Sequence, residues 1–355
     1  MPPDIDSLPA AHRRQLAGWL LLCCAMIYAM VVLGGVTRLT GSGLSMVEWD
    51  PLFGIVPPLG EQDWQAVFDK YRQSPEYRKV NAGMDLQGFK SIYWFEYAHR
   101  VLGRTIGTVF LLPFLYFLVR RRIPRPLVPR LAAAFVLGGL QGLLGWYMVK
   151  SGLVHDPHVS PYRLTAHLGL ALLIYAWLLW LFLDLVVAGR DATSGTPPAL
   201  RRGARAVLAL IAVTIASGGF VAGTKAGYAY NTFPLMDGGW LPPAGWSLQP
   251  GWRNLFENLA TVQFDHRLLA LLTLVSVLVL WFRGRGGRLP GPARAGLYAL
   301  LAAAVLQVTL GLSTLLLRVP VPLGAAHQAS AVLLLSVALY VTHRLGRRAG
   351  ALTTQ

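Results

Sequence analysis

Residues 16–36, LAGWLLLCCAMIYAMVVLGGV, form an apolar stretch without a charged side chain. A helix that crosses the hydrocarbon core of a bilayer needs about 20 such residues. Seven more stretches of similar length and apolar character follow, at residues 97–119, 127–149, 164–187, 204–222, 261–282, 293–316 and 325–345. Since backbone amides in lipid must be paired within the segment, each stretch is predicted to be helical. The sequence therefore predicts an all-α membrane protein with eight transmembrane helices.

The composition and the distribution of charge agree with this fold class. Of the 355 residues, 54% are hydrophobic and only 14% are charged, against about a quarter charged in soluble domains. The net charge of +16 is concentrated before the first stretch, in every second connection and in the C-terminal tail. The arginines concerned are Arg13, Arg14, Arg120, Arg121, Arg122, Arg125, Arg130, Arg190, Arg201, Arg202, Arg205, Arg283, Arg285, Arg288, Arg294, Arg344, Arg347 and Arg348. This positive-inside pattern predicts cytoplasmic N and C termini, contact with anionic lipid and no nucleic-acid partner.

The N-terminal segment and the cysteines indicate in which membrane the protein resides. The first apolar stretch is longer than the apolar region of a signal peptide. Asp4 and Asp6 argue against a mitochondrial transit peptide. Cys23 and Cys24 are adjacent on one predicted helix, so they are interpreted as small buried side chains rather than a redox pair. We expect a multi-pass protein of a bacterial inner membrane.

An internal repeat divides the chain at about residue 190. Four motifs of the first half have counterparts in the second half, in the same order and at comparable spacing. The pairs are Gly34-Gly35 with Gly218-Gly219, EYAHR 96–100 with QFDHR 263–267, QGLLG 141–145 with QVTLG 307–311, and TAH 165–167 with AAH 325–327. We predict two pseudo-symmetric four-helix bundles, residues 1–190 and 191–355, arranged as parallel repeats.

Four histidines occupy repeated positions, in the first turns of the second, fourth, sixth and eighth predicted helices. They are His99 and His167 in the first half and His266 and His327 in the second half. Given the predicted orientation, all four lie near the external face. Two facing imidazoles in each bundle suit axial ligation of a haem iron. A non-haem metal is the main alternative, but no cysteine or carboxylate cluster completes its coordination shell.

Two arginines and one carboxylate accompany these histidines. Arg100 and Arg267 each follow a histidine, where they are expected either to pair with haem propionates or to extend towards the interface. Glu96 lies three residues before His99 and so on the same helix face, whereas the second half has Gln263 there. Glu96 is predicted to act as a base or to stabilise positive charge on a substrate carbon, with a helix cap as the alternative.

This asymmetry favours the first half for chemistry and the second half for a permanently bound haem. The connection at residues 37–95 is too long for a simple loop. It is therefore predicted to form a cap over the N-terminal site.

Several of these motifs resemble one known family over nearly the whole chain. The matching segments are GGVTRLT 34–40, SGLSM 42–46, EYAHR 96–100, AGYAYNTFPLMD 226–237, Asn254 with FEN 256–258, VQFDHR 262–267 and HQ 327–328. Together they resemble the haem A synthases, and most closely their alphaproteobacterial and mitochondrial branch. The other branch carries a cysteine pair in its first external loop, which this sequence does not have, so a mechanism that uses that pair does not carry over.

The resemblance implies a reaction and its participants. The ring methyl of haem O is oxidised through a hydroxymethyl intermediate to the formyl group of haem A. By resemblance, His99 and His167 hold haem O, His266 and His327 hold a haem b, and Glu96 is the essential acidic residue. Haem O synthase would supply the substrate and cytochrome oxidase would receive the product, with both haem sites near the periplasmic side.

Two other functions would use parts of the same pattern. A quinol-oxidising di-haem cytochrome needs four histidines, but it usually places its haems on opposite sides of the membrane. A transporter built from parallel repeats would show broken helices and charged residues at mid-membrane. The sequence leaves the oligomeric state open, a homo-oligomer included.

Overall fold

The computed structural model describes residues 8–48, 55–154, 156–187, 196–242, 244–286 and 289–346. Within these ranges the chain forms eleven α-helices and no β-strand. Eight of the helices are long and apolar enough to cross a membrane, which confirms the predicted number of spans. They are α1 (Ala10–Leu39), α4 (Leu86–Val119), α5 (Val128–Lys150), α6 (Pro161–Val186), α7 (Pro198–Thr224), α9 (Leu259–Arg285), α10 (Gly291–Leu316) and α11 (Val321–Gly346).

The starts of several helices are fixed by recognisable N-terminal signals. The Asp85 side chain accepts a 2.7 Å hydrogen bond from the backbone N–H of Gly88 and caps α4. Asn258 caps α9 in the same way, through bonds from Ala260 and Thr261. Because α4 begins at Leu86 rather than at residue 97, its first turns extend beyond the predicted membrane span. These turns become part of the structure formed by the preceding connection.

The long helices pack in a pattern that matches between the two parts of the chain. Helix α1 contacts α4 and α6, and α7 likewise contacts α9 and α11. The pairs α4 with α5 and α5 with α6 correspond to α9 with α10 and α10 with α11. Contacts between α1 and α11, α6 and α7, and α6 and α11 join the two sets. Buried aliphatic side chains from four of these helices line the interior, among them Leu16, Leu178, Ile211 and Leu297.

Glycines allow helices of the two sets to approach closely near the ends that carry the histidines. A methyl group on Gly35 of α1 would lie 2.7 Å from Cδ of Gln328 on α11. The Gln328 amide donates a 2.6 Å hydrogen bond to the carbonyl of Val31. In the matching place, a methyl group on Gly219 of α7 would lie 2.9 Å from Oγ1 of Thr165 on α6. Small residues at such crossings are typical of membrane helix packing.

The long first connection folds into a small unit with its own core. It contains α2 (Glu61–Arg72) and α3 (Pro75–Lys79), which pack with the first turns of α4. We call this unit, together with residues 40–48, the cap. Its core is aromatic, and Tyr71 and Phe89 stack in its centre with ring centroids 5.0 Å apart. The predicted boundary at residues 190 and 191 lies outside the described residues, as do Arg190, Arg288, Arg347 and Arg348.

Candidate functional site

The second half of the chain brings two of the predicted histidines close together. The rings of His266 on α9 and His327 on α11 have centroids 6.5 Å apart and planes at 89°. A metal lies about 2.1 Å from a ligating imidazole nitrogen, which is itself about 1.1 Å from the ring centre. Two imidazoles on one metal therefore have centroids about 6.4 Å apart. Both rings are half-buried rather than enclosed, so the spacing and the access fit a shared iron.

Polar neighbours hold both of these rings. Nδ1 of His266 lies 2.8 Å from the Ser217 hydroxyl of α7. The His327 ring lies 3.3 Å from the side-chain amide of Gln307 on α10. Gln307 is itself bonded to the hydroxyl of Ser330, one turn further along α11. A hydrogen bond to the second nitrogen of an imidazole is the usual means of orienting a metal ligand.

The first half contains the corresponding pair, His99 on α4 and His167 on α6. Their two helices both pack against α1 and α5. Gln141 of α5 donates a 3.0 Å hydrogen bond to the backbone carbonyl of His167, and its amide lies 3.4 Å from Nε2 of the ring. Nδ1 of His167 is buried and has no partner within the described residues. This pair is therefore less constrained than the pair of the second half.

Each of the four imidazoles rests against a glycine of a neighbouring helix. A methyl group placed on that glycine would lie only 2.8 to 3.1 Å from an atom of the ring. The contacts are Gly34 with His99, Gly145 with His167, Gly218 with His266, and Gly311 with His327. These glycines belong to the repeated motifs of the sequence. The repeat therefore preserves the contact surfaces of the histidines as well as the histidines themselves.

Glu96 is buried, with 3% of its surface exposed, and both of its oxygens are engaged. Oε1 accepts a 2.7 Å bond from Nη2 of Arg100. Oε2 accepts bonds of 2.8 Å from the Ser45 hydroxyl and from the backbone N–H of Met46. The carboxylate thus ties the cap to α4 beside His99. The alternative of a cap at the helix start is wrong, because Asp85 caps α4 and Glu96 lies in the helix interior.

Gln263 makes an equivalent network in the second half without the charge. Its side-chain oxygen accepts a 2.7 Å bond from Nη2 of Arg267, and its amide donates a 2.7 Å bond to the carbonyl of Ala226. Both positions therefore connect a histidine helix to the connection that precedes it. The difference between Glu96 and Gln263 is a difference of charge within the same arrangement.

The two arginines were predicted to be equivalent, but they differ in how many of their N–H donors are already bonded to protein. Nε and both terminal nitrogens of Arg100 donate to Glu96 or to the carbonyls of Met46 and Glu48. Arg267 donates to Tyr230 and Gln263 through Nη2 alone. Its Nε and Nη1 are buried without a partner within the described residues. Arg267 thus has two free donors for an anionic group such as a propionate, and Arg100 has its donors occupied by protein.

One sequence-based placement of the histidines was wrong. His99 does not lie in the first turn of its helix, since α4 begins at Leu86. His167 and His327 each follow the first residue of their helices by six positions, and His266 follows by seven. The described residues contain no group of three or more His, Cys, Asp or Glu side chains that could hold a metal ion.

The cap contains one further buried carboxyl, Glu76, which the sequence did not single out. It is 7% exposed and lies 3.4 Å from the hydroxyl of Tyr71. Burial, followed by the negative charge of Glu96, raises the pKa of Glu76 from its ordinary 4.5 to about 7. The nearby positive charge of Lys225 opposes this rise. The cap therefore contains a group that titrates near neutral pH.

The sequence did not identify several residues that contact the site, because their residue types alone do not indicate what they contact. Ser45 and Ser217 are ordinary small residues whose importance depends on what faces them. Gln328 follows His327 directly, yet it points to the other set of helices. At the opposite end of the molecule, His343 of α11 is buried and lies 2.8 Å from Asp184 of α6, at the junction of the two sets.

Known proteins resemble this chain over nearly its whole length. Residues 17–339 match the family model described as cytochrome oxidase assembly protein. The chain belongs to this family. Among its relatives, a haem A synthase of Nitrosospira multiformis is 55% identical over 340 residues, which cover 95% of each chain. A haem A synthase of Paramagnetospirillum magneticum is 53% identical over 97% of each chain.

The cytochrome oxidase assembly protein family extends to eukaryotes. A haem A synthase of Arabidopsis thaliana is 47% identical over 93% of this chain and 74% of its own length. The matched region contains all eight membrane helices in whole or in large part, together with the cap and the four histidines. The resemblance seen in the motifs is therefore a property of the whole chain.

Proposed function

We propose that this chain is an integral membrane oxidoreductase that converts haem O to haem A for cytochrome oxidase. The observation that carries the proposal is the 55% identity to a haem A synthase over 95% of both chains. The reaction is two successive two-electron oxidations of one ring methyl carbon, first to a hydroxymethyl group and then to a formyl group. The four histidines, each packed against a glycine, would supply two axial ligands to each of two haems in such an enzyme.

The proposed division of labour follows the asymmetry of the two sites. His99 and His167 hold the haem O substrate, and His266 and His327 hold a haem b. The two free donors of Arg267 support a tightly held propionate in the second site. The buried charge of Glu96 supports chemistry in the first site. When bound, the haem b supplies a one-electron carrier beside the substrate site.

Within the substrate site we assign two tasks to Glu96. Its bonds to Ser45 and Met46 hold the cap closed over the external end of α4, which excludes water from the reacting carbon. Its negative charge, shared with Arg100, favours positive charge developing on that carbon during oxidation. In the second site the uncharged Gln263 only ties α9 to the preceding connection, through its bond to the carbonyl of Ala226.

The proposed topology follows from the arginine distribution. Both termini and the connections after α4, α6 and α9 are cytoplasmic, so the four histidines and the cap lie towards the periplasm. The chain consists of two pseudo-symmetric four-helix halves, as the sequence repeat indicates. We further propose that haem O synthase supplies the substrate within the same bacterial inner membrane.

The test is chromatography of the haems extracted from purified protein after co-expression with haem O synthase. Wild type is expected to contain haem B together with haem A or its hydroxymethyl precursor. Glu96→Ala is expected to accumulate haem O, whereas Gln263→Ala, the matched change in the other half, is expected to keep converting haem O. If wild type contains only haem B, the chain is an electron-transfer cytochrome and the proposal is wrong.

A further inference from the structure

The hydroxyl of Ser217 lies between the backbone carbonyl of Thr214 and Nδ1 of His266. Ser217 donates its single hydroxyl hydrogen to the carbonyl of Thr214, 2.7 Å away. The 2.8 Å contact between this hydroxyl and Nδ1 of His266 therefore has the imidazole N–H as donor. Nδ1 consequently carries the proton, and Nε2 keeps its lone pair for a metal.

This contact is anchored in the interior of the second half. The hydroxyl of Thr214 lies 2.9 Å from the hydroxyl of Thr273 on α9. Both hydroxyls also lie within hydrogen-bond distance of the backbone carbonyl of Leu269 on α9. Helices α7 and α9 therefore hold the Ser217 side of the ring, while Gly218 contacts its Cε1 edge. A hydrogen bond in this low-dielectric region is stronger than it would be in water.

The first half lacks the corresponding hydroxyl. Ser217 directly precedes Gly218, and the residue that directly precedes Gly34 is Leu33. A leucine side chain has no hydrogen-bonding group, so this position of α1 offers His99 no acceptor. The other imidazole of the first half, His167, also has a buried Nδ1 without a partner in the described part of the chain. Only the second half has a ligand imidazole oriented through its Nδ1 by a hydroxyl at this position.

We propose that Ser217 is a positioning residue that makes the second half the haem-retaining site, and that Leu33 leaves the first half free to exchange its haem. The inference rests on the proposed function, in which one haem stays through many turnovers while the other enters as substrate and leaves as product. An oriented imidazole binds metal more tightly because its rotational freedom is already restricted. Removing such an outer hydrogen bond typically weakens metal binding about 10- to 100-fold.

The test measures how fast each haem leaves the intact, detergent-solubilised full-length chain. Purified protein is mixed with excess apomyoglobin as haem acceptor, and the haems that remain bound are extracted and separated over time. For Ser217→Ala we expect haem B to leave about 10- to 100-fold faster than from wild type. Ser217→Thr, which retains the hydroxyl, is expected to restore retention to within a few-fold of wild type.

Two further measurements separate positioning from general loosening of the fold. Leu33→Ser is expected to slow the loss of haem O or haem A from the first half without changing the loss of haem B. The low-spin electron paramagnetic resonance signal of haem B is expected to shift in Ser217→Ala and to return in Ser217→Thr.

The inference is overturned if Ser217→Ala loses haem B at the wild-type rate, or if Ser217→Thr behaves like Ser217→Ala. A wild type that holds haem B but never contains haem O or haem A contradicts the proposed function instead. In that case the loss of haem B from Ser217→Ala still tests the role of the hydroxyl.

Discussion

Replacing Gly145 by alanine should weaken haem binding in the first half. The new methyl group would lie 2.9 Å from Cε1 of His167 and 3.5 Å from its Nδ1. Ordinary carbon contacts are about 3.5 to 4.0 Å, so the ring must move by about 0.6 to 1.1 Å. Gln141 limits this movement from the same helix through its bond to the His167 carbonyl. Overpacking of this kind costs about 1 to 3 kcal/mol, which corresponds to about 5- to 150-fold weaker binding.

Gly142 provides a matched control on the same helix. It lies one turn before Gly145, and a methyl group there would have no neighbouring atom within 4 Å. Both substitutions raise the intrinsic helix propensity by a similar amount, up to about 1 kcal/mol. Any difference between Gly145→Ala and Gly142→Ala therefore reports the contact with His167 rather than a change in α5 itself.

The assay is the Soret difference spectrum during titration of the purified protein with haem O. Gly145→Ala is expected to bind haem O more weakly while its content of haem B stays at the wild-type level. Gly142→Ala is expected to match wild type in both respects. If Gly145→Ala binds haem O with wild-type affinity and spectrum, His167 is not held by this glycine at the haem position. Equal loss in both variants would instead indicate a general effect on α5.

Three more perturbations follow from the contacts described. Arg267→Gln removes the two free donors, so we expect a lower content of extracted haem B, while Arg100→Gln should leave that content unchanged. The neutral form of Glu76 is favoured in the folded cap, so the unfolded chain loses this proton near pH 4.5 and the folded cap near pH 7. As the pH rises across this interval, the free energy of unfolding of the cap should therefore fall by at most about 3 kcal/mol. Glu76→Gln should remove this fall in thermal melts followed by tryptophan fluorescence. If the pH profile of the variant equals that of wild type, the raised pKa is contradicted. Gly35→Ala should lower the melting temperature by driving a methyl group into Gln328, and Gly35→Ala with Gln328→Asn should recover part of it, whereas an additive loss would show that the two residues do not interact.

The fold class and the interest of the four histidines followed from the sequence for physical reasons. Apolar stretches in lipid have one regular solution, the helix, so eight spans were predictable from residue types alone. The four histidines were visible because a polar side chain at a repeated membrane position is rarely without purpose. The helix ends were less accessible, because the start of α4 depends on Asp85, which lies in a polar loop.

The contacts around the site could not be predicted from the sequence, because they join residues that are far apart in the chain. Glu96 was noticed for its charge, but its bonds to Ser45 and Met46 cross 50 or more residues of chain. The difference between Arg100 and Arg267 was likewise invisible, because it depends on which backbone carbonyls each guanidinium meets. Ser217 became informative only when its hydroxyl was found beside His266. Chemistry-bearing side chains were thus predictable, and the residues that orient them were not.

The two Gly-Gly steps each serve both sets of helices. Gly34 contacts His99 of its own set, while Gly35 receives Gln328 from the other set. Gly218 and Gly219 do the same with His266 and with Thr165 of the first set. Each two-residue step therefore links the seat of an imidazole in one set to the spacing between the sets, so a shift of one set against the other would also move the glycine surface on which an imidazole rests.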